Sequence, residues 1–161
     1  YILGGRLGWK DCQTQVVLAY TNISGDGRFL SPREWGREPF FTFIPRERTE
    51  GYGYAQSITG LIQRSYGENQ GQVYVHGGFV RLPDPTDFEV NKYAFPSYAQ
   101  VNLGWKYAPK DFLRGLDIHA LVMGKFNMKS GEMKPQWIYN KVNMIHVNVI
   151  LNYTIHWEMF N

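Results

Sequence analysis

Five arginines and five carboxylates fall within residues 24–53: Arg28, Arg33, Arg37, Arg46 and Arg48 against Asp26, Glu34, Glu38, Glu47 and Glu50. The planar guanidinium fork grips a carboxylate through two parallel hydrogen bonds, so this stretch has the chemistry to contact an acidic solute. The same residues can instead pin a loop against a wall through Arg–Glu pairs, each worth little where water has access. The near balance of signs describes a transverse field across a passage better than a filter for one sign of charge.

Other chemistry-bearing residues form no comparable group. His76, His119, His146 and His156 lie on separate segments without a ligand-spaced carboxylate motif, so wet side chains are expected and a metal or cofactor is not. Asp117 and His119 share one strand face and are the only pair that suggests a constellation. Ser57, Ser65 and Ser97 lack a G-x-S-x-G setting, and no enzyme is expected. Cys12 is the one cysteine, which excludes an internal disulfide framework.

The elements that position these residues are read from alternation. Residues 142–157 place Ile145, Val147, Val149, Leu151, Tyr153, Ile155 and Trp157 on one side. Met144, His146, Asn148, Ile150, Asn152, Thr154 and His156 fall on the other. Successive side chains of a strand point to opposite faces, so this is a long strand with one oily and one wet face. Similar patterns predict strands at about 1–10, 14–23, 54–65, 72–82, 97–107 and 113–126. In the third the register is ambiguous, and Ile58, Gly60 and Ile62 are taken as the oily face. Lys106, Asp117, His119, His146 and Asn148 fall on the wet faces.

The connections run short, long, short, long, short, long, with long loops at 24–53, 83–96 and 127–140. Trp9, Trp105, Tyr107, Tyr153 and Trp157 gather at the short-turn ends. That combination of tight turns at one end, long loops at the other and an aromatic girdle is expected of an antiparallel up-and-down transmembrane β-barrel. It orients the short turns and the C-terminus toward the periplasm. Aromatics make up 16% of the 161 residues while mean hydropathy is only −0.38. Both values suit a wall in which every second residue meets lipid, but a soluble β-sandwich or ligand-binding barrel could share them. No run approaches the ~18 apolar residues of a membrane helix. The net charge of +3, without a long run of one sign, argues against a nucleic-acid binder. Seven strands is an odd number, below the smallest single-chain bacterial barrels, and the pattern is already under way at Tyr1. Further strands are therefore expected to precede it.

The stretch GDGRFLSPREWGREPFFTFIPRERTEGYG resembles the long loop of OprD-family outer-membrane porins of the Bacteroidetes type. LPDP at 82–85, NKYAFPSYAQ at 91–100, FLRGLDI at 112–118 and NKVNMIHVNVILNY at 140–153 extend the resemblance over nearly the whole chain. The resemblance implies a monomeric barrel of about eighteen strands, of which this chain would supply the last seven. It implies passive, substrate-selective diffusion of small polar solutes such as amino acids and carboxylates. Long loops would fold into the lumen, with basic side chains facing acidic ones at a constriction. On that likeness Arg33, Arg37, Arg46 and Arg48 are candidates for the constriction or its scaffold, with Glu34, Glu38 and Glu47 as acidic partners. The expected surroundings are the outer-membrane bilayer and lipopolysaccharide. An alternative role is as a docking platform for lipoproteins. One departure is that Glu158, Met159, Phe160 and Asn161 follow Trp157, whereas such barrels commonly end on the aromatic residue.

Overall fold

Alternating β-branched, aromatic and polar residues form seven strands: β1 Ile2–Lys10, β2 Thr14–Ile23, β3 Gln56–Tyr66, β4 Gly71–Arg81, β5 Tyr98–Tyr107, β6 Leu116–Asn127 and β7 Met144–Tyr153. The structure is a computed structural model that describes residues 1–30, 40–45, 50–68, 70–110, 113–129 and 142–154. The strands pair antiparallel, each with its neighbour in sequence, in one open sheet of order β1 to β7. No helix occurs among the described residues.

The short connections have local causes. At the first, Asp11 accepts from the backbone N–H groups of Gln13 at 2.7 Å and Thr14 at 2.6 Å, an Asx turn that reverses the chain. These bonds stabilise the charged carboxylate, and Arg64 adds to them, so Asp11 titrates below its ordinary value. The second turn uses left-handed backbone at Gly67 and Glu68, with φ of 56° and 52°. The third ends on Gly115 at φ 98°, with Leu116 N–H bonded to Leu113 O. This turn explains why β6 starts at Leu116, where alternation alone would begin it at Leu113. β3 likewise starts at Gln56 because Tyr54, at φ 47°, still belongs to the loop.

The register separates two unlike faces. The paired row Trp9, Val16, Ile62, Val75, Leu103, Val122 and Val147 is apolar in all seven strands. Every member is exposed, from 39% at Val16 to 63% at Val147. Ile58, Gly60 and Ile62 lie on this face, opposite Tyr20, Leu18 and Val16. Its only charged strand residues are Arg64 and Arg81, one toward each end. The next row, on the other face, reads Lys10, Gln15, Gln63, Tyr74, Gly104, Leu121 and Asn148.

That second row also measures the lean of the strands. One residue of β2 lies on its short-turn side, three of β3 and five of β7. A drift of five residues over six strand-to-strand steps, at about 3.3 Å per residue and about 4.8 Å between strands, leans the strands by roughly 30°.

Burial is concentrated at the long-loop end. Ile23, Val80 and Tyr98 from the polar face pack with Tyr52, Ala55, Leu82 and Val142, and Phe29, Phe40, Tyr93 and Phe95 close over them. Asn91 organises the loop between β4 and β5. Its Nδ2 donates to Pro83 O at 3.0 Å and Phe95 O at 2.9 Å, while its Oδ1 accepts from Phe95 N–H at 3.0 Å. An ion pair between Lys129 Nζ and Asp84 Oδ2 at 2.6 Å ties that loop to the start of the next.

Candidate functional site

The described middle of the long loop after β2 crosses the polar face. Thr42 Oγ1 donates to Thr21 Oγ1 of β2 at 2.9 Å. Three residues on, Pro45 O accepts from Gln100 Nε2 at 2.8 Å and Asn102 Nδ2 at 3.2 Å, both on β5. Gln100 Nε2 also reaches Asn102 Oδ1 at 3.0 Å, which fixes the amide pair. Thr42, Ile44, Gln100 and Asn102 are buried. Residues 40–45 thus form a strap from β2 to β5 on the wet side of the sheet, and the opposite side stays bare. Within this strap region Gln100 Oε1 is buried without a hydrogen-bond partner among the described residues.

Beside the strap, Lys125 of β6 is buried on the same face. Its ammonium lies 4.3 Å from the ring centre of Tyr98 and 5.3 Å from that of Phe95. Two aromatic faces therefore supply part of what water would give an exposed cation.

Toward the short turns the polar face is open. A recess of about 610 Å³ is lined there by Lys10, Gln15, Gln63, Gln72, Lys106 and Asp117, among others. Tyr74 of β4 reaches over β5 at Gly104 and meets His119 Nε2 of β6 at 2.9 Å. Only glycine leaves room for that crossing, because a Cβ at 104 would fall 1.9 Å from Tyr74 Cζ. Lys106 Nζ stands 6.0 Å from the Tyr74 ring centre, and Lys106 and His119 are cross-strand partners. His146 Nε2 and Asn148 Oδ1 lie 3.1 Å apart on β7.

The wet-face residues expected from sequence thus share one face: Lys106, Asp117, His119, His146 and Asn148. The hydrogen-bond partner of His119 is Tyr74, not its strand neighbour Asp117. Arg33, Glu34, Arg37, Glu38, Arg46, Glu47 and Arg48 lie outside the described residues, as do His156 and Trp157. Sequence reasoning did not single out Thr21, Thr42, Gln100, Asn102 or Tyr74 for a site. The amides at positions 100 and 102, spaced to one strand face, were the available signal for a polar anchoring point. No group of three or more His, Cys, Asp or Glu that could hold a metal ion occurs among the described residues.

Comparison with family models, curated proteins and solved structures finds no match. The arrangement is a polar face crossed by an anchored strap, open toward one end, and backed by a face that is apolar except for Arg64 and Arg81 among its charged residues.

Proposed function

We propose that the chain forms part of the wall of an outer-membrane porin of the OprD type, passing small polar solutes such as amino acids and carboxylates. The observation that carries this reading is the side on which the strap lies. In a soluble ligand-binding barrel the apolar face turns inward and collects the loops. Here the strap and the buried loop residues lie on the polar face, and the row from Trp9 to Val147 is left bare. Soluble monomers seldom leave so large an apolar surface open, whereas lipid covers it without cost.

Dimensions agree. Along β5 the apolar face runs from Ala99 to Tyr107, about 27 Å of strand, or ~23 Å along the membrane normal after a lean of roughly 30°. Outer-membrane barrels carry an apolar band about 25 Å tall. Trp9, Tyr66, Trp105, Tyr107 and Tyr153 lie toward its short-turn edge, and Tyr20, Phe79 and Phe126 toward the other. In this reading the short turns face the periplasm. Strands β1 and β7 meet further strands of the barrel, since an open edge in lipid leaves backbone groups unsatisfied. The strap narrows the lumen. Arg46 follows Pro45 in sequence and is the first candidate for solute contact.

Planar-bilayer recording of the full-length protein tests the reading. Stepwise conductance is expected, and Arg46→Gln should shift the reversal potential in a salt gradient toward cation preference. A protein that stays monodisperse without detergent, or that gives no conductance when inserted, overturns it.

A further inference from the structure

The apolar face holds a recess of about 470 Å³ between β3 and β6, lined by Ile62, Val75, Leu103, Trp105 and Val122, with Arg64 at its short-turn end. Arg64 is the only charged side chain in its lining, and it forms no ion pair among the described residues. Asp11, which feels its charge, is engaged by the backbone N–H groups of Gln13 and Thr14. Beside it Tyr66 lies across Gly71, where a Cβ would fall 2.1 Å from its ring, and its hydroxyl accepts from Trp105 Nε1. Trp105 in turn stacks on Tyr107, with ring planes 5° apart. Trp105, held by both tyrosines, forms part of the wall of the recess.

We propose that this recess is a binding site for one anionic glycerophospholipid, its phosphate on Arg64 and an acyl chain along Ile62, Val75, Leu103 and Val122. The inference rests on the membrane reading above. The chemistry selects the occupant. A guanidinium at the edge of an apolar groove matches a molecule with an oily tail and an anionic head. A second copy packed face to face would bring Arg64 an apolar surface and no counter-charge from the same groove. The position also fits, because the girdle marks the depth at which lipid headgroups meet the protein.

The test is native mass spectrometry of the full-length protein in detergent, with phosphatidylglycerol, phosphatidylcholine or inorganic phosphate added. Retained phosphatidylglycerol adducts are expected, at least tenfold weaker with phosphatidylcholine and absent with phosphate alone. Arg64→Gln should weaken the phosphatidylglycerol adduct about tenfold, while Arg81→Gln at the far end of the face leaves it unchanged. Equal retention by Arg64→Gln and the parent, or equal loss in both arginine variants, overturns the site. Flotation with lipid vesicles separates the two readings. A protein that floats yet shows no Arg64-dependent adduct loses only this site, and one that does not float loses the membrane reading too.

Discussion

Tyr74, Gly104 and His119 act as one unit although they come from three strands. The ring can reach His119 only because residue 104 has no side chain. Gly104→Ala should therefore displace the ring, break the bond and destabilise the protein by about 1–3 kcal/mol through overpacking. Tyr74→Phe keeps the ring in place and loses only the hydroxyl contact, about 1 kcal/mol. Thermal unfolding of the two variants in detergent checks the order, and a Tyr74→Phe cost as large as that of Gly104→Ala would contradict it. Alternation placed Tyr74 and His119 on one face, so half of this unit was legible. The crossing was not, because it depends on which residue of β5 falls between them. The β4–β5 register follows a long loop that fixes no offset.

Among the elements, the loops are held by few but specific contacts. Lys129 stabilises the Asp84 carboxylate most, followed by the N–H and hydroxyl of Thr86, and the group titrates well below its ordinary value. A carboxylate depressed in the folded state contributes stability at all pH values above its unfolded pKa of about 3.9 and loses it as pH falls toward the folded value. The tie between the two loops should thus be intact at neutral pH and weaken only below about pH 4. Limited proteolysis across that range should show the loop at 82–97 becoming cleavable on the acid side, with Asp84→Asn producing the same cleavage at pH 7. Cleavage that rises toward alkaline pH instead would reverse the assignment. The strands were legible at this scale because alternation is a local signal that covers most of each element. The strap was not, since its main anchor is a backbone carbonyl, Pro45 O, and a carbonyl carries no mark in the sequence. The chemistry of the arginines that flank the strap in sequence is visible in one letter, whereas the amides that grip Pro45 read as ordinary wet-face residues.

For the molecule as a whole, the decisive contrast is between one bare apolar face and one polar face that carries the loops. A charge placed at mid-height separates the two environments. Leu103 is 50% exposed, so in water Leu103→Arg would be nearly neutral. In lipid it should cost about 2–4 kcal/mol near the midplane, read as reduced folding yield into lipid vesicles, with Arg81→Lys at the band edge as the tolerated control. A Leu103→Arg variant that folds into vesicles like the parent would count against lipid on this face. The two-faced character was readable from composition and period alone. What the sequence could not show is how the strand offsets add up across the sheet, because part of the drift arises between β2 and β3, which are joined by a long loop that fixes no offset.

The two aromatic crossings have a bearing on pairing accuracy. Short turns fix the offsets within β3–β4 and within β5–β6, but sixteen residues separate Arg81 from Tyr98 and leave the β4–β5 offset open. A slip of two residues would keep oily and wet sides correct, so burial alone would not reject it. It would, however, carry Trp105 away from Tyr66 on one side of the wall and bring a side chain, Asn102 or Lys106, under Tyr74 on the other. The two glycines and the rings that span them thus act as a proofreading pair, one on each surface, for the only kind of error that the alternating pattern tolerates.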